Sequence, residues 1–319
     1  VPLDAFLTSR FGPAAALAHT RAAEAAGLGG VWLAEHHFVS YGQCPSATLL
    51  AGHLLAATAR ITIGTAACVL SARHPVALAE EASVLRALGG DRFVLGVARG
   101  GPWIEAELLG GGAERYERGF AEALDVLLSR VSGVSPVGAD GEFFRFPPLA
   151  VVPNVPGVPV MVAVTSGASA ELAARRGLPL LLGVQAGDDE VAGVVRRWRE
   201  VAEAEGHDPD GGGHARVRVA YPAKDRATGE RELRAALPAW LAGMGEAVRI
   251  AGGTARDPRE HVEAMLRHHP VGRPAEVAER LAESAARTGV RRQLCLVEAV
   301  PDAAAATDLI ASLGALPDR

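Results

Sequence analysis

Residues 61–100 read ITIGTAACVLSARHPVALAEEASVLRALGGDRFVLGVARG, and this stretch decides the fold. The run at 61–70 is short, apolar and rich in β-branched residues. Residues 75–88 follow a proline at helical spacing and stop at a glycine pair, and 92–100 is again short and apolar. Strand, helix and strand in such quick succession is the unit that joins neighbouring parallel strands.

The same rhythm extends in both directions. Before it lie PLDAFLTS (2–9), a helical segment over 12–27, VWLAEHH (31–37) and a helix near 46–59. After it come a helix near 115–131, an irregular Gly/Pro-rich stretch at 133–157, PVMVAVTS (159–166), a helix at 168–176 and LPLLLGV (178–184). A helix near 190–205, RVRVAYPA (216–223), helical material over 229–269, a helix at 274–288, QLCLVEA (293–299) and a last helix complete the chain. Near-continuous apolar strands separated by helices imply a parallel sheet covered on both faces. Eight such units favour a closed (β/α)8 barrel, an α/β fold, over an open doubly wound sheet. No linker divides the chain, so 1–319 reads as one domain, with insertion loops expected around 133–157 and 222–262.

Composition agrees with a large core. The chain has 319 residues, 49% of them hydrophobic but only 5% aromatic, so Ala, Val and Leu must fill the interior. Disorder is excluded. The net charge of −5 is spread without long runs, and no basic patch with interleaved aromatics marks a nucleic-acid partner. Cys44, Cys68 and Cys295 are too scattered for a disulfide framework or a zinc knuckle. No apolar run reaches the ~18–20 residues of a membrane span, and no signal-peptide pattern opens the chain, so a soluble, cytoplasmic protein is expected.

In such barrels the working groups sit where strands end and the following loops begin. The second strand runs VWLAEHHF (31–38), placing Glu35, His36 and His37 at the mouth. One such histidine is as often a packing residue as a functional one, but other strands end in kind. Gly64, Thr65, Ala66 and Ala67 are small enough for backbone to approach a flat ligand. Arg99 is flanked by glycines and small residues. Thr165, Ser166 and Ser169 stand at the start of a helix, where free amides and the helix dipole favour an anion. Arg99 is suited to complete that site as a bidentate partner for a phosphate. Together these features point to a planar, phosphorylated cofactor across the mouth.

At this point the sequence resembles the bacterial luciferase-like flavin-dependent monooxygenases. The matching segments are WLAEHHF (32–38), the stretch 63–100, ELAARRGLPLLL (171–182) with the Ser/Gly segment before it, and HPVGRPAEVAERLAESAARTGVRRQLCLVEA (269–299). The resemblance implies a TIM barrel that takes reduced FMN from a separate NAD(P)H:flavin reductase and uses O2, through a C4a-peroxyflavin, on a small organic substrate. It implies a homodimer. It assigns His36 the acid/base role, places Ala66 and Ala67 at a cis peptide beneath the flavin ring, and puts the phosphate on Arg99, Arg118, Ser166 and Ser169. Glu105 falls where a flavin-tuning carboxylate occurs. Ala98 stands where luciferases carry a reactive cysteine, and the 229–268 region is shorter than the segment holding their mobile lid. Relatives on the same barrel imply two alternatives, a deazaflavin-dependent hydride-transfer enzyme and a catalytically silent flavin-binding or partner subunit.

The remaining motifs read as structure. His74-Pro75 starts a helix, GGGHARVRV (211–219) is a loop entering a strand, and the adjacent His268 and His269 lack the spacing of a metal site, so no metal is expected. No GxGxxG joins a strand to a helix, so no Rossmann-type nicotinamide site is expected. Tyr41, Trp103, Phe143 and Phe144 are the candidate pocket walls.

Overall fold

The structure, a computed structural model, describes residues 1–101, 103–250, 252, 254–255 and 257–317, and the side chain of Trp103 lies outside that description. Eight parallel strands form the barrel: β1 (Leu3–Leu7), β2 (Gly30–Leu33), β3 (Thr62–Thr65), β4 (Phe93–Ala98), β5 (Val160–Val164), β6 (Leu180–Leu182), β7 (Ala215–Arg218) and β8 (Arg292–Leu296). Each pairs with the next, and β8 closes on β1 with Leu3 opposite Gln293 and Phe6 opposite Leu296. The closed (β/α)8 barrel expected from the strand count is present.

Around it lie helices α1 (Pro13–Ala25), α2 (Ala47–Ala57), α3 (Pro75–Gly89), α4 (Trp103–Leu108), α5 (Gly112–Arg118) and α6 (Phe120–Val131). They are followed by α7 (Gly167–Ala174), α8 (Asp188–Ala204), α9 (Arg226–Ile250), α10 (Pro258–His268), α11 (Pro274–Thr288) and α12 (Ala303–Gly314). Local chemistry sets their starts. Ser46, Ser166, Asp257 and Asp302 accept amides as N-caps, and α1, α3, α10 and α11 each place a proline in the first turn. His74 caps α3 by accepting the Val76 amide at 3.3 Å.

Two apolar clusters divide the interior. One fills the space between barrel and helices, and the other fills the barrel with Phe6, Trp32, Met161, Leu181, Val217, Leu294 and Leu296. Trp32 is fully buried, and its indole donates to Asp4 at 2.7 Å. A Cβ on Gly64 would lie against the Trp32 ring, 2.6 Å from its Cζ3 and closer still to Cε3. The small residue at 64 therefore accommodates an indole, which corrects the expectation that its backbone meets a ligand. All three cysteines are free and buried.

The strands stop earlier than apolarity suggests. β2 ends at Leu33 because Glu35 turns inward: it is 4% exposed and accepts the amides of Ala47 at 3.0 Å and Val69 at 2.9 Å. β3 likewise ends at Thr65, after which Cys68–Val69 pairs again beside β4. The insertion at 133–157 contains an antiparallel hairpin, Val137–Asp140 against Arg145–Leu149, whose turn is held by Glu122 accepting the amides of Glu142, Phe143 and Phe144. The insertion at 222–262 is no loop. Helix α9 occupies most of it and packs against α10.

Candidate active site

A cavity of about 530 Å³ opens at the C-terminal ends of β2, β3, β4 and β5. Every residue expected at the site lines it: His36, Ala66, Ala67, Arg99, Glu105, Arg118, Ser166 and Ser169. The barrel accounts for this convergence, because equivalent positions on neighbouring parallel strands feed one rim. Ala66 and Ala67 are joined by a cis peptide bond, as the resemblance implies. With Ala34, Ala98 and Ala163 they form a flat, small-residue wall.

The opposite rim is cationic. Arg99 is exposed, stacks over the Tyr116 ring at 4.8 Å, and makes no ion pair among the described residues. Helix α7 begins beside it. The Ser166 hydroxyl accepts the Ser169 amide, and the Ser169 hydroxyl donates to the Ser166 carbonyl at 2.8 Å. The hydroxyls thus cap the helix first, and the leading amides at Gly167 and Ala168 have no intrahelical acceptor and stay available to an anion. Arg118 is less free, being half-exposed and ion-paired with Glu142 of the hairpin at 2.8 Å.

Two titratable side chains, His36 and Glu105, also line the cavity. His36 lines the cavity, and its surroundings bury the ring enough to push its pKa down to about 4; Glu35 pulls upward and His37 adds to the lowering. The imidazole is therefore neutral at neutral pH. Glu105 moves the opposite way. It is 3% exposed, burial raises its pKa to about 7 against the pull of His37 and its amide, and its Oε2 is enclosed without a hydrogen-bond partner among the described residues. Two titratable groups pushed apart in this manner mark a site built to hold and move protons.

Glu105 also dictates a pH signature in stability. The unfolded chain loses this proton near 4.5 and the folded chain near 7, so the unfolded state binds fewer protons between those values and stability falls as pH rises through them. Glu105→Gln removes that dependence. The variant is expected to be more stable than the native chain by about 1–3 kcal/mol above pH 7, and equal to it below pH 4.5. Urea titrations across pH 4–8 check this; a constant difference across the range contradicts the raised carboxyl.

Glu35 is structural. Its pKa is lowered although burial alone would raise it, because the His37 ring, the two amides and Arg73 together favour the carboxylate. His37 Nε2 lies 3.7 Å from the Glu35 carboxylate. Of the expected walls, Tyr41 lines the cavity, whereas Phe143 and Phe144 pack under Arg118 and Arg115 and do not. Phe120, Val39 and Leu172 line it instead. Of these, Phe120 follows a glycine directly at the start of α6, a position the sequence reading placed inside one long helix. His269 is buried and bonds the Val184 carbonyl at 2.9 Å, a packing role. No described helix is long and apolar enough to cross a membrane.

Comparisons with known proteins agree on one family. A family profile described as luciferase-like monooxygenase matches residues 4–292. The chain is 26% identical over 302 residues to an alkanal monooxygenase alpha chain of Photorhabdus laumondii, covering 88% of this chain and 84% of that protein. It is 32% identical over 192 residues to the alpha chain of the Kryptophanaron alfredi symbiont, covering 59% of this chain. That match and the two similar ones to Photorhabdus luminescens span about half the length of those relatives. Among solved structures, the monooxygenase RslO1 of Streptomyces bottropensis superposes with a TM-score of 0.85 at 22% identity, covering 99% of this chain and 98% of that one. An F420-dependent secondary alcohol dehydrogenase superposes at 0.78 with 20% identity, covering 98% and 97%.

Proposed function

We propose, from the premise that this chain belongs to the luciferase-like monooxygenase family, that it is a monooxygenase using reduced FMN and O2 on a small organic substrate. The observation that carries the reading is the single cavity that unites a small-residue wall, an unpaired arginine at a helix N-terminus and two oppositely shifted proton carriers. Its volume falls within the roughly 300–1,000 Å³ of cofactor and small-molecule sites.

The residues fit FMN by their chemistry. Arg99, the leading amides of α7, and Ser166 and Ser169 form a phosphate-binding set, with Arg118 joining once it shares or leaves Glu142. Ala66, Ala67, Ala98 and Ala163 suit one face of a flat ring. The enclosed, unpartnered Glu105 Oε2 is a polar atom waiting for a ligand group. Bound here, reduced FMN would supply the electrons and the centre at which O2 is activated. The chain's own part is to orient and to shield. Arg99 fixes the phosphate end, the alanine wall excludes water from one face, Glu105 holds a proton near neutral pH, and His36 offers a neutral imidazole for proton transfer.

Arg99→Ala is expected to raise the Kd for FMN by about 10–100-fold, the worth of a charge-assisted bidentate contact, with folding unchanged. Fluorescence-quench titration checks it, and an unaltered Kd would move the phosphate elsewhere. The FMN-bound solved relative, a type II Baeyer–Villiger monooxygenase of Pseudomonas putida, has a TM-score of 0.75. The F420-dependent dehydrogenase has the same barrel, so deazaflavin hydride transfer stays as the second reading, and substrate-dependent O2 uptake separates the two.

Two partners complete the reading. A separate NAD(P)H:flavin reductase would supply the reduced flavin, as O2 uptake only in its presence would show. A homodimer is supported by the apolar side chains exposed on α2 and α3, Leu49, Val84 and Leu88, and sedimentation as a monomer would remove it.

A further inference from the structure

The segment after β2 does not simply leave the barrel. Phe38 takes a positive φ of 60°, and the chain turns back over His36 so that a Cβ on Gly42 would lie 2.8 Å from the imidazole Cγ. On its other side the ring meets Tyr41, with centroids 4.5 Å apart and the phenol oxygen 3.4 Å from Nδ1. Among the described residues His36 Nε2 makes no hydrogen bond, and the residue itself lines the cavity.

Helix α9 holds this turn in place from the far side of the mouth. Glu246 accepts the Ser40 amide at 2.8 Å and its hydroxyl at 2.9 Å. The Trp240 ring stands edge-on to Tyr41 at 6.0 Å, and Gly243 leaves room for the phenol, since a Cβ there would sit 2.9 Å from Tyr41 Cγ.

We propose that Tyr41 is a positioning residue that holds His36 in its Nε2–H tautomer, so that the imidazole presents a hydrogen-bond donor to the cavity, and that α9 keeps Tyr41 in place. The phenol has no other acceptor among the described residues, so donating to Nδ1 is the arrangement that pairs its hydroxyl proton within the chain. Burial, with Glu105 nearby, keeps that phenol protonated. With Nδ1 occupied, Nε2 carries the single proton of the neutral ring. The acid/base role of His36 thereby acquires a direction. The ring meets an oxygen atom in the cavity as a hydrogen-bond donor at Nε2, and the neutral ring can gain a proton only at Nδ1, where Tyr41 must first turn its hydroxyl away. The mechanistic part of this inference rests on the monooxygenase reading; the tautomer does not.

The test is 15N NMR of histidine-labelled, flavin-free protein at pH 7, with His36 assigned by its loss in His36→Asn. Native protein is expected to show an unprotonated Nδ1 and a protonated Nε2. Tyr41→Phe keeps the ring packing and removes the hydroxyl, so the two nitrogens should move toward a mixed-tautomer pattern. In turnover, kcat is expected to fall about 5–20-fold with the Kd for FMN within twofold, a loss confined to the proton-transfer step. Gly243→Ala, which pushes α9 off Tyr41, should shift the same signals with the hydroxyl present, and Glu246→Ala repeats the test where Gly243→Ala fails to fold. A protonated Nδ1 in native protein, or an unchanged pattern in Tyr41→Phe, overturns the proposal. Native protein that shows the expected tautomer but binds no reduced FMN sinks the monooxygenase reading and leaves the positioning role standing.

Discussion

Replacing His36 by alanine is expected to lower kcat by about 10²–10⁴-fold, the usual contribution of a positioned acid/base group. The imidazole lines the cavity, is neutral at working pH, and is held between Gly42 and Tyr41. Nothing else near it substitutes directly, because His37 faces Glu35 and the Glu105 carboxyl is set by its own burial. The fold should survive, since the ring contributes little to the apolar clusters. Steady-state O2 uptake with saturating reduced flavin measures the loss, and a thermal melt controls for folding. Turnover equal to the native rate would remove His36 from the mechanism.

Glu35→Ala should act on stability first, by about 3–5 kcal/mol, because it strands two buried amides that the carboxylate now satisfies. Those amides belong to Ala47, the first residue of α2, and to Val69, beside β4. The loss therefore loosens both walls next to the cavity. Its pH dependence has a definite sign. The folded pKa lies below the ordinary 4.5, so the stabilisation is present in full above that value and is lost as pH falls through the folded one. Urea unfolding at pH 7 and at successively lower pH should show a difference between native and variant that is largest at pH 7 and shrinks as pH falls through the acid range. A difference below about 1 kcal/mol at pH 7 would mean that water replaces the carboxylate at both amides.

How much of this was legible in the sequence follows from what each signal measures. Short apolar runs located most of the strands, because a strand buried on both faces has no polar alternation to disguise it, and β7 was found although Arg216 and Arg218 interrupt it. Strand ends were overestimated at 34–37, where the run was carried through Glu35, His36 and His37, and at 66–70, where apolarity persists after the ladder stops. There the chain obeys Glu35, whose hydrogen bonds join positions 12 and 34 residues away and leave no local trace. His36, Ala66, Ala67, Arg99, Ser166 and Ser169 were legible as strand-end chemistry, Glu105 and Arg118 came only from the family resemblance, and barrel closure brings all of them to one cavity.

Other readings failed for want of tertiary information. Gly64 looked like a ligand approach and instead faces Trp32. Phe143 and Phe144 looked like pocket walls, yet the hairpin lays them beneath Arg118 and Arg115. The helical pattern over 229–269 was legible, but its contact with Tyr41 was not, since Gly243 carries that information by having no side chain.

The most direct test of the account is an anaerobic titration of the protein with reduced FMN, followed by rapid mixing with O2 while flavin absorbance is recorded. The account predicts saturable binding at one site per chain, weakened in Arg99→Ala, and reoxidation on the protein that is slower than that of free reduced FMN. No binding, or reoxidation indistinguishable from free flavin in solution, would contradict it.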